Sequence, residues 1–166
     1  MLRKIILLLL IISCVLWTAF IFSNSLASAE ESAQQSATVT EKVNEIASAV
    51  GIEKEITTTT VRDMAHFSEF ALLSALICAT VAAFIWDKYT SKPFVALLWL
   101  LLSAPICFVL ACIDELLQKL SPGRVSDYVD VLLDSLGGIC GILFFSLIYT
   151  TVILISVRRK RKAEKK

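Results

Sequence analysis

The sequence has few of the residue patterns that usually carry enzyme chemistry. It contains one histidine, and it has no G-x-S-x-G, H-E-x-x-H or P-loop motif. These absences exclude the common signatures of serine hydrolases, zinc peptidases and nucleotide-binding enzymes. The sequence therefore supports no named enzyme class, and we assign no cofactor, no metal and no nucleic-acid partner from it.

The five cysteines indicate no chemistry either. There is no C-x-x-C pair and no histidine cluster beside them, so neither a disulfide framework nor a zinc site is expected. All five lie inside apolar runs, where cysteine behaves as a small hydrophobic residue. They are Cys14, Cys78, Cys107, Cys112 and Cys140.

Apolar residues are what the chain has in excess. They make up 57% of its 166 residues, and the mean hydropathy of +0.75 lies far above that of a soluble domain. The pattern predicts a single all-α domain over residues 1–166, a multi-pass membrane protein built as a bundle of four transmembrane helices. Pro105 predicts a kink in the third of them. The spans are predicted at about 5–26, 64–86, 93–113 and 131–157.

The segment 27–61 is polar and predicts a loop outside the membrane. Within it, Val39, Val43, Ile46 and Val50 recur at helical spacing. This stripe predicts a short amphipathic helix that lies on the bilayer or caps the bundle. The sequence Ala27-Ser28-Ala29 leaves open a cleaved signal peptide ending at Ala29, but the first apolar run exceeds the roughly 7–15 residues of such peptides, so a retained helix is favoured.

Basic residues are distributed unevenly between the two sides of the predicted bundle. The inner segments would hold Arg3, Lys4, Lys88, Lys92 and the basic tail at 158–166, whereas the outer segments would hold Lys42, Lys54, Arg62, Lys119 and Arg124. The positive-inside rule therefore predicts a cell-membrane protein with both termini in the cytoplasm and with the loop 27–61 outside.

Polar residues at three predicted span ends fall on this outer side. Arg62, His66 and Glu69 share one helical face at i, i+4 and i+7, and ionisable residues at a bilayer boundary indicate function. Asp127, Asp130 and Asp134, at i, i+3 and i+7, are predicted to share another face, with Arg124 as the nearest cation. The full set of candidates is Arg62, His66, Glu69, Glu115, Gln118, Arg124, Asp127, Asp130 and Asp134.

Turn and glycine signals flank the group of Asp127, Asp130 and Asp134. Pro122 and Gly123 predict a chain reversal, which would return Arg124 toward the preceding span, where Glu115 or Glu69 is expected to hold it. Gly137 and Gly141 form a small-xxx-small pair on the face of Asp134. This pair predicts close approach of a neighbouring helix.

Two motifs resemble those of the VanZ-like family of small membrane proteins, over about residues 22–147. One is His66-Phe67-x-Glu69-Phe70. The other is longer and more specific, and it comprises Asp114, Glu115, Gln118, Pro122, Gly123, Arg124, Asp127, Asp130, Val131, Leu132, Asp134, Gly137 and Gly141. The resemblance implies a compact helical bundle in a bacterial cytoplasmic membrane and an envelope role, since the founding type is associated with low-level teicoplanin resistance. The family often has Asn where this chain has Asp134, so the resemblance assigns no charge-dependent role there.

Three interpretations of the polar set stay open at this point. The favoured one is a binding protein whose outer-facing pocket uses Arg62 and Arg124 to hold an anionic group of an envelope precursor or a lipopeptide-like antibiotic. The alternative is a membrane-embedded enzyme acting on a lipid-linked substrate, with Glu69, Glu115 or an Asp as base and His66 as partner. A divalent cation bridging Glu115, Asp127 and Asp130 would suit hard oxygen ligands. The third interpretation is a structural lock between helices. Membrane lipids are the expected surroundings, and the sequence does not indicate an oligomeric state.

Overall fold

The computed structural model describes residues 1–52, 55–89, 93–125 and 127–163. Within these ranges it contains six α-helices and no β-strand, which confirms the all-α prediction. The helices are α1 (Leu2–Ser25), α2 (Ala29–Ala49), α3 (Thr58–Tyr89), α4 (Pro93–Leu101), α5 (Ser103–Leu120) and α6 (Tyr128–Ala163).

Four segments of the described chain are long and apolar enough to cross a membrane, namely α1, most of α3, the continuous stretch from α4 into α5, and most of α6. Large apolar side chains face outward along them. Leu9, Phe84 and Phe144, for example, are more than half exposed. Such a surface would aggregate in water, whereas lipid tails are its natural surroundings.

The third span is interrupted close to its proline. Helix α4 ends at Leu101 and α5 begins at Ser103, with the amide of Leu102 donating to the carbonyl of Trp99 at 3.2 Å. Pro105 has no N–H to offer the carbonyl four residues earlier, on Leu101. The predicted break in this helix is therefore present.

The helices extend further than the predicted spans. Helix α3 begins at Thr58 instead of 64, α5 continues to Leu120 instead of 113, and α6 runs from Tyr128 into the predicted basic tail. Polar residues at these ends bond to each other across the bundle, so the helices need not end where the apolar runs end. Residues 87–89, which follow the second predicted span, belong to α3. Residues 90–92, like 53–54 and 164–166, lie outside the described residues.

Two clusters of buried apolar residues form the core. One contains Ile21, Phe70, Leu73, Cys107 and Ala111. The other lies nearer the chain termini and contains Cys78, Ala82, Ile85, Leu100, Ile142, Tyr149 and Ile153.

Close packing of α3 on α6 depends on glycine. A Cβ atom added at Gly137 would meet the carbonyl oxygen of Phe67, and one at Gly141 would meet the carbonyl of Ala71, both closer than real contacts allow. The prediction that these glycines permit close helix approach is confirmed.

Helix α2 is present in the polar segment, but it is longer than the predicted short helix. Ser28 and Glu31 form a reciprocal capping box at its start. The predicted valine stripe does not face the bundle: Val39 and Ile46 are exposed, while Thr40 and Ala47 are buried. Small and hydroxyl side chains can pack against the polar end of the bundle. Larger apolar side chains in their place would cover polar groups there without pairing them.

Helix α2 and the turn after α5 lie at the same end of the bundle. The amide of Ala29 donates to the carbonyl of Pro122 at 3.0 Å, and the hydroxyl of Ser121 donates to the carbonyl of Ser25 at 2.9 Å. We call this end, where α1 stops and α6 starts, the α2 end.

Candidate functional site

The predicted polar residues of α3, α5 and α6 meet at the α2 end. Arg62 forms an ion pair with Asp130 at 3.0 Å, and its guanidinium also lies 3.4 Å from the side-chain oxygen of Gln118. One side chain thus bridges three helices. Convergence of the three polar groups, which the sequence predicted from their common depth, is confirmed.

One turn deeper, His66 faces Asp134. Their atoms Nδ1 and Oδ1 are 3.4 Å apart, and Asp134 is fully buried. The two groups are not aligned as a hydrogen bond, and no described residue donates a hydrogen bond to either oxygen of Asp134. Burying a carboxylate without hydrogen-bond donors costs free energy. In this respect the pair differs from a buried ion pair whose atoms are hydrogen-bonded.

Asp114 completes the inner group. It is fully buried and accepts a hydrogen bond from the hydroxyl of Ser25 at 2.5 Å. It accepts another from the side-chain amide of Gln118 at 2.9 Å. One potential ligand atom from each of His66, Asp114 and Asp134 lies within 4.8 Å of the others. We call these three residues the inner triad.

Arg124 has a different partner from the expected one. Its guanidinium donates to the carbonyls of Asn24 and Ser25, both at 3.2 Å, and not to Glu115 or Glu69. These carbonyls end α1, where unpaired oxygens and the helix dipole attract a cation. Burial lowers the pKa of the Arg124 guanidinium, and the nearby charge of Arg62 lowers it further. The two arginines are therefore close enough to repel each other.

Both arginines line two neighbouring cavities. An outer cavity of about 330 Å³ lies between α2, the start of α3 and the turn after α5. An inner cavity of about 90 Å³ is lined by residues of α1, α2 and α3 and by Arg124. The two cavities share Ser32, Ser36, Arg62 and Arg124. We call the combined space the arginine cleft.

The inner cavity reaches the predicted acid-base residues. His66 and Glu69 line it together with Arg62, so all three predicted residues of α3 face the same space. Glu69 accepts a hydrogen bond from the side-chain amide of Asn24 at 3.1 Å, which fixes its carboxylate against α1.

Four of the predicted acidic residues do not line the cleft: Glu115, Asp127, Asp130 and Asp134. Asp127 is exposed and precedes α6; its carboxylate accepts from the amide of Val129 at 2.9 Å, as residues that cap a helix start do. The prediction that it shares a helical face with Asp130 and Asp134 was therefore wrong. Glu115 is buried and accepts from the amide of Asp127 at 2.7 Å.

The predicted cation set of Glu115, Asp127 and Asp130 does not converge either. Asp127 meets Glu115 through its backbone amide and points its carboxylate at its own helix, while Asp130 is engaged by Arg62. Among the described histidine, cysteine and acidic side chains, the group close enough to hold an ion is instead the inner triad.

Several residues of the cleft are not among those predicted from the sequence. Ser32, Ser36, Thr58 and Thr59 line the outer cavity with hydroxyl groups. A signal was present, since Ser28, Ser32, Ser36 and Thr40 recur every four residues and so share one face of a helix. Asp114 was noted as part of a motif but was not assigned to the site, and its separation of four from Gln118 is the same kind of signal.

The turn residues have structural roles. Gly123 has a φ of 75°, and a Cβ atom there would lie 3.2 Å from the Cβ of Ala29. Glycine thus permits both the left-handed backbone and the approach of α2. Pro122 contributes the carbonyl that holds the start of α2.

Comparison with known proteins gives one match. A family model described as VanZ/LLP1 matches residues 10–149, more than four fifths of the chain. The match spans α1 to most of α6 and includes every residue of the arginine cleft and the inner triad. Neither the search of curated proteins nor the search of solved structures returned a match.

Proposed function

This chain belongs to the VanZ/LLP1 family, and from that premise we propose that it binds an anionic group of a cell-envelope component in the arginine cleft. The observation that carries the proposal is the pairing of Arg62 and Arg124 across one cavity that hydroxyl groups also line. Guanidinium and hydroxyl donors together suit a phosphate or carboxylate. The family's association with teicoplanin resistance agrees with an envelope ligand.

The charge arrangement supports an anion as the ligand. Arg62 forms an ion pair with Asp130, whereas the hydrogen bonds of Arg124 go to neutral carbonyls. An anion between the two arginines would relieve their repulsion. Because the hydrogen bonds of Arg124 go to backbone carbonyls, the anion would not have to displace a protein carboxylate from it.

The location supports a ligand that resides in the bilayer. The cleft opens at the α2 end of a bundle whose long helices are lipid-compatible, so a lipid-linked headgroup can reach it without leaving the membrane. We propose that the α2 end faces outward and both termini face the cytoplasm, with α1 retained as a span. The basic-residue distribution carries this part of the proposal.

Binding to a matched pair of lipids tests the function directly. The full chain in nanodiscs would be titrated with geranylgeranyl phosphate and with geranylgeraniol, which share the apolar chain and differ in charge. We expect the phosphate to bind at least about tenfold more tightly, and Arg124→Gln to remove about 10- to 100-fold of that affinity. Lys119→Gln is the matched control, because it removes an exposed cation at the same end outside the cleft.

Equal affinity for the phosphate and the alcohol would contradict the proposal. So would equal losses in Arg124→Gln and Lys119→Gln, because a diffuse surface attraction would account for that result.

An enzyme acting on the same headgroup is the second candidate function. It is favoured by one observation, that His66 and Glu69 line the inner end of the cleft beyond the arginines. A general base must lie within reach of the reacting group. Release of inorganic phosphate from geranylgeranyl diphosphate by the wild-type protein, and its loss in Glu69→Gln, would support the enzyme. Binding of the diphosphate without phosphate release would contradict the enzyme and leave binding as the function.

A further inference from the structure

The inner triad has the composition and spacing of a metal site. It offers one imidazole nitrogen and two carboxylates, with the ligand atoms within 4.8 Å of one another. Two ligands about 2.1 Å from a tetrahedral ion lie about 3.4 Å apart, and His66 Nδ1 lies 3.4 Å from Asp134 Oδ1.

The same atoms are short of hydrogen-bond partners. In the described residues, both oxygens of Asp134 and Nδ1 of His66 are buried without a hydrogen bond. Asp134 is fully buried, and both groups point toward the centre of the triad. Buried polar atoms are normally satisfied, so this group points to a ligand between them.

The electrostatic balance points to a positive ligand. The triad places two carboxylates beside one imidazole. The hydrogen bonds that Asp114 accepts come from the neutral side chains of Ser25 and Gln118, and Arg62 pairs with Asp130 instead. A divalent ion would compensate the two carboxylates in a region of low dielectric constant.

We infer that His66, Asp114 and Asp134 bind a divalent transition-metal ion of the zinc or manganese class. An imidazole ligand favours these ions over Mg²⁺ and Ca²⁺, which prefer oxygen alone. Ser25 and Gln118 hold the carboxylate of Asp114 and so act as the outer shell that orients a ligand. The inference is independent of the anion-binding function.

The triad borders the inner cavity through one of its residues. His66 lines this cavity, as does Ser25, which bonds to Asp114. We expect an ion bound there to be reached from this side. Three protein ligands with one open position are typical of metal sites that bind a further ligand.

The metal content of the purified protein tests whether the triad binds an ion. The full chain, purified through a histidine-free tag and stripped with a chelator, would be dialysed against Zn²⁺ or Mn²⁺ and measured by mass spectrometry. A background with all five cysteines replaced by serine or alanine removes thiol binding. We expect about one ion per chain in this background, and an affinity at least about tenfold lower in Asp134→Asn and His66→Gln. Asp127→Asn is the matched control, an exposed carboxylate at the same end, and it should bind like the parent.

Cobalt provides a readout that needs no variant of the triad. The cysteine-free protein should show visible d–d absorption of bound Co²⁺, and Zn²⁺ should displace it. Absence of Co²⁺ absorption and of stoichiometric Zn²⁺ or Mn²⁺ in this protein would overturn the inference. Binding that Asp127→Asn weakens as much as Asp134→Asn would also overturn it, because the ion would then lie on the acidic surface.

Discussion

The two halves of the bundle are held together by different means. Near the termini, the core consists of apolar side chains such as Leu100, Ile142 and Ile153. At the α2 end, Arg62 joins Asp130 and Gln118, and Asp114 joins Ser25. The apolar half is what packing of membrane helices needs. The polar half adds groups whose burial is expensive.

This difference indicates what the polar half is for. Replacing a buried ion pair by apolar residues is often neutral or stabilising, so stability alone does not explain the polar residues. Arg62, Arg124, His66 and Glu69 line a cleft together with hydroxyl groups. The cavity that Ile142 of the apolar cluster borders is instead lined mainly by apolar side chains. This contrast supports the proposal that the α2 end is a ligand site.

The largest effect is expected where both halves depend on the α3–α6 contact. Gly141→Leu would drive a side chain into the carbonyl of Ala71 and the hydroxyl of Ser74, so it should reduce folded protein in the membrane to a small fraction of the wild-type level. Cys140→Leu, on the exposed neighbouring position, should leave the level unchanged. Quantitative immunoblotting of membranes measures both. Similar levels of the two variants would contradict the close packing.

The second-largest effect is expected on function in cells, at a residue that contributes little to packing. If the protein confers teicoplanin resistance on a susceptible host, Arg124→Ala should abolish it while membrane abundance stays near wild type, since the bonds to Asn24 and Ser25 hold only the end of α1. Inhibitory concentrations and immunoblots would be measured on the same cultures, with Lys119→Ala as the control. Resistance that survives Arg124→Ala would argue against this residue as a ligand donor.

A smaller effect is expected from the ion pair between α3 and α6. The side chain of Arg62 is 38% exposed and that of Asp130 is 18% exposed, so solvent weakens their attraction. A double-mutant cycle of Arg62→Ala and Asp130→Ala should give a coupling of about 0.5–1 kcal/mol in unfolding free energy. A coupling several times larger would favour the interpretation of the polar half as a lock between helices.

The smallest effect concerns the cap of α2. Hydrogen bonds from the amide and the hydroxyl of Ser28 lower the pKa of Glu31 below its usual 4.5. A lowered pKa means that the ionised form supports the folded cap, so this support is present above pH 4.5 and is lost as the pH falls through the lowered value. The protection factors of the amides in the first turns of α2, which are corrected for the intrinsic pH dependence of exchange, should therefore fall below about pH 4.5, and Glu31→Gln should remove this fall. An unchanged pH profile in that variant would show that another group titrates there.

The sequence predicts what depends on local periodicity. The shared direction of Arg62, His66 and Glu69 and the close approach at Gly137 and Gly141 follow from helical spacing, and the structure has both. Asp127 shows where this fails, because the start of a helix is set by its cap and a shift of one residue moves a side chain off the face.

Contacts between distant segments could not be predicted in the same way. Arg124 bonds to carbonyls at the end of α1, about one hundred residues earlier in the chain, and no pattern near either residue indicates the other. The inner triad likewise takes one residue from each of α3, α5 and α6. The hydroxyl face of α2 was readable from its spacing, but the valine stripe on the same helix was the stronger signal and it faces outward.

The central claim, that the α2 end is a ligand site and not a lock, is tested most directly by measuring stability and affinity on one variant. Arg124→Lys can still donate to the carbonyls of Asn24 and Ser25, but it cannot present a planar fork to an anion. We expect its unfolding free energy to change by less than about 1 kcal/mol, while its affinity for geranylgeranyl phosphate falls about tenfold. Stability that falls by several kcal/mol together with affinity, or affinity that does not change, would contradict the account.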